Sequence, residues 1–236
     1  MANWVCLNGT EHSDAGWFKY RDYGFAAGEH MAPVVMAEVT QILPWYPLGF
    51  LFDESAQRYQ LVALLSLAPG RNLYLSPELK WQAPYVPSCY RGYPFSLNAQ
   101  GQLFIDADSG LFTNADELGA QPIFEAGDLA EVTLRVKQFH EKRHENLATT
   151  RKLVDQLDQA GLIQPWDIRW TPDGTEQTVQ GIDGVDESCL RALPPETYTD
   201  LAHTGALGLA YAQLFSRARI GDLQTRSRRQ QAQQKS

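Results

Sequence analysis

Cysteine is scarce. The chain holds three, Cys6, Cys89 and Cys189, far apart and in no CxxC spacing, and an odd, sparse set fits a reducing compartment better than a disulfide framework. Long apolar runs are missing too. The longest nearly unbroken one, Leu61 to Ala68, is far short of the roughly 20 residues a membrane helix needs, so no membrane span is expected. The opening stretch MANWVCLNGTEHSD has no basic leader before an apolar core and does not read as a secretory signal. Glycine-rich phosphate loops, a GxSxG elbow, a Rossmann fingerprint and internal repeats are also absent. These absences make the cytoplasm the expected location and remove the commonest nucleotide-binding and hydrolase frameworks.

Basic charge is the next shortage. Lys and Arg number 20 against 28 Asp and Glu, a formal net charge of -8. Arg226, Arg228, Arg229 and Lys235 gather in a terminal stretch without acids, so the rest is more acidic still. Such a body repels a polyanion, and nucleic acid is not an expected partner. What is plentiful is core material: 44% of residues are hydrophobic and 20% charged, which excludes the disordered class. The length suits a single α+β domain over residues 1–225, with residues 1–30 irregular and residues 226–236 a disordered basic tail.

Along the chain, an apolar segment containing Glu38 leads through Pro44 and Pro47 to a strand from Leu48 to Phe52. A second strand, Arg58 to Leu67, pairs with it across the DESAQ turn as a hairpin. NLYL at 72–75 reads as a third, short strand. From Asp128 to Gly161 the period becomes helical: Leu129, Val132, Val136, Phe139, Leu147, Val154 and Leu157 share one face, with Asp128 as N-cap and Gly161 as stop. WDIRW, the Pro172 to Gly174 turn and TEQTVQGI form another hairpin. A last helix is expected from Pro195 to Leu223, buried because GALGLAYAQLF is apolar nearly all round. The expected architecture is a mainly antiparallel sheet covered by the long central helix and the buried C-terminal helix.

Residues 85–112 are the densest in chemistry, with rings, one arginine and two aspartates in fewer than thirty positions. Arg91 lies between Tyr90 and Tyr93, with Phe95 following. A guanidinium flanked by rings can present its fork to a carboxylate or a peptide, or can satisfy carbonyls of its own proline-rich loop. In QLFIDAD, alternation puts Asp106 and Asp108 on one strand face; with Ser109 they form either an oxygen-rich site for a hard cation or a turn bonding its own backbone. The candidate ligand-binding set is therefore Tyr90, Arg91, Tyr93, Phe95, Asp106, Asp108 and Ser109. His140, Glu141 and His144 spell HExxH, the helical zinc-hydrolase pattern. Lys142 and Arg143 inside it place cations within a turn of any bound dication, and the two imidazoles straddle the edge of the apolar face, so the letters read as a solvated helix flank and no metal is assigned.

The order of PVVMAEV, WYPLGFLF, NLYLSPELKWQAPYVPSCYRGYPF, LFIDADSGLF, the long helix ending QAGLIQPWDI, and GIDGVDESCLRALPPETYTDLAHTGALGLAYAQLFS resembles the SapC family of bacterial proteins over about residues 30–223. Tyr90-Arg91-x-Tyr93-Pro94-Phe95 and Tyr211-Ala212-x-Leu214-x-Ser216 carry the likeness most specifically. The resemblance implies a link by name to surface-layer protein export and an association with loci for outer-membrane receptors, halogenase-like flavoproteins and cupin-like oxygenases, whose products are further expected partners. It brings no catalytic residues and no cofactor. The leading expectation is a cytoplasmic accessory protein that recognises a polypeptide or peptide-like ligand. The alternative is an enzyme modifying a peptide or small molecule at the same acids, with a metal.

Overall fold

The computed structural model describes residues 2–171 and 177–234; the Pro172 to Gly174 turn and Lys235 lie outside them. The mixed architecture expected from the periodicity is present: antiparallel sheets, a long central helix and a helical C-terminal region. The single domain read from the sequence divides into two compact units. One comprises residues up to Phe25 plus Tyr90–Glu145; the other comprises Ala26–Cys89 plus Asn146 onward. Each is built from two separated stretches of chain, which is why no linker marks a boundary in the text.

In the first unit, Leu103–Asp106 is the centre of a three-stranded antiparallel sheet, flanked by Trp4–Cys6 and Phe95–Leu97. Ala15–Trp17 is the centre of a second, between Phe112–Asn114 and Gln121–Pro122. Residues 1–30 are thus less irregular than expected, their strands being too short to show a period. Alternation turns Leu103 and Ile105 inward, where they join Trp17, Phe95 and Ile123 in a core that Val132 and Val136 of the long helix pack against. Trp17 meets Phe95 edge-on at 4.9 Å between centroids, and its indole N–H donates to Thr133 Oγ1 at 3.2 Å, so its one polar atom is satisfied in the interior.

The second unit carries a five-stranded antiparallel sheet in the order Ile163–Pro165, Asp183–Val185, Leu48–Asp53, Arg58–Leu64, Met31–Pro33. The hairpin Leu48–Asp53 with Arg58–Leu64 is its spine, in register from Leu48 opposite Ala63 to Asp53 opposite Arg58. Its turn is held by the Asp53 carboxylate, which accepts from the Ser55 and Ala56 N–H groups at 2.9 and 3.1 Å. Between Asp183–Val185 and Leu48–Asp53 only Asp183 and Phe50 pair directly. Beyond them the strands part, and a buried side chain of the helix Ala206–Ser216 completes the ladder. Gln213 accepts from Val185 N–H at 3.0 Å and donates to Leu48 C=O at 3.2 Å, while Ser216 Oγ accepts from Leu48 N–H at 2.8 Å. A lone glutamine in an apolar helix therefore stands in for missing sheet bonds.

Several expected elements end elsewhere. Asp128 does not cap the long helix; it pairs with Glu125 in a two-residue ladder, and the helix begins at Glu131 and runs to Gln159, with Gly161 at φ +69° behind it. NLYL is no strand: Asn72 Oδ1 accepts from Tyr74 N–H at 2.9 Å, bending the chain as an Asx turn. The last helix is broken at Gly205, whose φ of +90° no helix accommodates, into Pro195–Thr204 and Ala206–Ser216. The tail expected to be disordered is helical over Ile220–Gln234. Two of its residues have partners that composition cannot reveal: the Arg226 guanidinium lies 4.3 Å from the Tyr74 ring centroid, and Ser227 is buried, accepting from Arg71 at 3.1 Å. Among the described residues no helix is long and apolar enough to cross a membrane.

Replacing Gln213 with Leu keeps the helix and the volume but strands a buried N–H and a buried C=O. The expected loss is about 2–4 kcal/mol of unfolding free energy, read by urea denaturation, with Leu214→Ala as a control on the same helix.

Candidate functional site

The first unit holds a cluster of rings that the chain brings together from two directions. Tyr20, Tyr23 and Phe25 follow the Ala15–Trp17 strand, and Tyr93 follows the one-turn helix Ser88–Arg91. Phe25 stacks on Tyr93 at 3.9 Å between centroids and 13° between planes, and Tyr20 meets Tyr23 and Phe25 at 5.2 and 5.4 Å. Tyr93 is pinned at its far end, where its hydroxyl donates to Asp106 Oδ2 at 3.2 Å. Asp106 is buried, and its Oδ1 accepts from Asn3 N–H at 3.0 Å and Asp108 N–H at 3.2 Å. Burial, then the neighbouring Asp106 charge, push the Tyr93 phenol up to about 12; burial, then Tyr23, raise that of Tyr20. Both hydroxyls are protonated at neutral pH and present neutral walls.

These rings frame two adjoining hollows. The larger, of about 670 Å³, runs along Phe18 to Asp22, Phe25, Tyr93, Ser109 to Leu111, Leu118, Gly119 and Gln121. The smaller, of about 310 Å³, is walled by Trp17, Val132, Val136 and Phe139, with Arg91 and Arg135 at its edge. Lys19, Tyr20, Tyr93 and Gln121 line both. Both volumes fall within the roughly 300–1,000 Å³ of ligand pockets. A protein-family model described as SapC matches residues 7–223. The chain belongs to the SapC family. No curated protein and no solved structure matches it. The family match begins well before residue 30, and so takes in the aromatic run Trp17 to Phe25 that the sequence resemblance left outside.

Of the seven residues singled out from the sequence of this SapC-family chain, three line the hollows: Arg91 the smaller, Ser109 the larger and Tyr93 both. Tyr90 and Phe95 are buried, Phe95 against Trp17. Asp106 caps its own turn, Asp108 is exposed and receives Asn3 Nδ2 at 3.5 Å, and Ser109 Oγ accepts from Leu111 N–H at 3.1 Å. Asp106 thus binds main chain and the Tyr93 hydroxyl, Asp108 meets the Asn3 side chain, and neither acid lines a hollow with Arg91, whose guanidinium lies 5.4 Å from the Phe139 ring centroid. Sequence reasoning missed Lys19, Tyr20, Arg21 and Phe25. The available signal was density: WFKYRDYGF puts five rings and two cations in nine positions.

The HExxH letters fall apart in space. His144 is exposed, whereas His140 is turned in and its Nε2 sits 3.2 Å from the Gly92 carbonyl oxygen, so that nitrogen carries the proton and donates. Among the described residues no three His, Cys, Asp or Glu side chains are grouped to hold a metal ion. Gly92 explains the fit: a Cβ there would lie 2.2 Å from His140 Nε2. The hydrogen bond that sets the Tyr-Arg-Gly-Tyr loop on the long helix exists because position 92 has no side chain.

Two outcomes follow from this contact. Gly92→Ala should cost about 1–3 kcal/mol through overpacking, and much less in a His140→Ala background; thermal melts of the double-mutant cycle measure that coupling. Burial, as the main cause, holds the His140 pKa below its ordinary 6.5. The fold favours the neutral ring, so its contribution is complete above pH 6.5 and is lost as the pH falls through that value toward the lowered one. Urea titrations from pH 7.5 to 5 should show a stability slope that shrinks in His140→Gln.

Proposed function

We propose that this SapC-family chain is a cytoplasmic accessory protein that binds a segment of another polypeptide in the ring-walled hollows of its first unit. The observation that carries the reading is the shape and lining of the larger hollow, in which the stacked Phe25 and Tyr93 pair meets long cationic stems and bare main chain at Gly110 and Gly119. Aromatic faces hold apolar side chains at little entropic cost, and glycine edges admit a second backbone at close range, a combination suited to an extended peptide. Leu118 stands fully exposed at the rim, where a partner would cover it. All three cysteines are free thiols, in keeping with a reducing compartment. The family's link to surface-protein export favours an exported polypeptide as the occupant, with products of the same locus as further partners.

Panning a random-peptide library against the full chain tests this. Recovered peptides should bind about ten-fold more weakly, ~1.4 kcal/mol, to Leu118→Asp, a variant whose exposed position leaves the melting temperature unchanged. Undiminished binding would put recognition elsewhere.

A further inference from the structure

The two hollows reverse the charge of the chain that carries them. Acids outnumber cations 28 to 20 in the whole sequence, yet the residues lining the hollows include Lys19, Arg21, Arg91 and Arg135 against one acid, Asp22. Asp22 is turned to its own loop, accepting from Gly24 N–H at 2.9 Å. Arg135 has an exposed partner in Glu131 one helical turn away, a pair of the kind that solvent largely screens. Lys19 belongs to both hollows. Between these cations the smaller hollow is apolar, walled by Trp17, Val132, Val136 and Phe139.

We infer that the site selects an acidic peptide: a short extended segment whose leucine or aromatic side chain enters the smaller hollow while flanking Asp or Glu carboxylates meet Lys19 and Arg21 on one side and Arg91 and Arg135 on the other. This rests on the peptide-binding reading and adds its chemistry. Guanidinium forks match carboxylates, and the Arg91 guanidinium lies over the Phe139 ring, 5.4 Å from its centroid.

Three pools of blocked, fluorescently labelled octapeptides test it on the full chain, each with Leu or Phe at the centre and flanked by Asp and Glu, by Gln and Ser, or by Lys and Arg. In anisotropy titrations at about 0.1 M salt the acidic pool should bind at least ~10-fold tighter than the neutral pool, and the basic pool weakest. In Lys19→Ala/Arg91→Ala the ratio of acidic-pool to neutral-pool affinity should fall about ten-fold; both positions are exposed, and a matching thermal melt shows that the variant is folded. Equal binding of acidic and neutral pools overturns the charge inference and leaves the peptide reading standing. Binding of no pool overturns both. An oligothymidylate that binds as tightly as the acidic pool, with the same dependence on Lys19 and Arg91, overturns it in favour of a general polyanion site.

Discussion

The buried carboxylate of Asp106 fixes the first unit. Burying a charge costs several kcal/mol unless hydrogen bonds replace the lost water, and here the replacements come from three places: Asn3, just before the N-terminal strand, the following turn through Asp108, and the ring of Tyr93. Bonds to a charged acceptor are worth about 1.5–3 kcal/mol each, enough to hold the chain ends they join. Because Tyr93 is tied at its hydroxyl, its face is free to stack on Phe25, and that stacked pair is the wall of the larger hollow. Asp106, an acid that stands out in the text, thus holds in position a ring that lines both hollows.

The second unit uses the same device twice. Glu38, buried in an apolar segment, accepts from Val35 N–H and Ser88 Oγ through one oxygen and from Tyr85 O–H and Ser88 N–H through the other. Gln213 replaces rungs missing from the five-stranded sheet. In each case a single polar side chain amid hydrophobic neighbours is the point where separate stretches of main chain are tied together. An apolar residue of equal size would fill the space but leave several donors or acceptors dry.

This explains which parts of the molecule were legible. The hairpin Leu48–Asp53 with Arg58–Leu64 and the helix Glu131–Gln159 are long enough for their period to outvote local exceptions. Strands of two or three residues have no period, so Ala15–Trp17 and the ladder at Asp128 were invisible. NLYL is β-prone by composition and is turned by Asn72, a local side-chain bond outweighing propensity. The tail Arg226 to Gln234 looks solvated by letter count, yet its helix sets Arg226 on Tyr74, about 150 positions earlier in the chain. The site was half legible for the same reason: clustering near Tyr93 marked one wall, while the other wall comes from a run whose partners only the fold identifies.

The balance of charge sets the kind of ligand such a hollow can hold. With a net charge of -8, the chain as a whole repels an anion at long range, but salt screens that repulsion beyond about 8–10 Å. Inside that distance the nearest groups decide, and in the hollows those are Lys19, Arg21, Arg91 and Arg135 against the single acid Asp22. A long polyanion would extend beyond the cations and gather repulsion along its length; a short acidic stretch on a polypeptide would not. Ring walls and local cations within an acidic protein thus favour a compact negative feature with an apolar anchor, the combination that a peptide supplies and that neither an extended nucleic acid nor a purely apolar surface does.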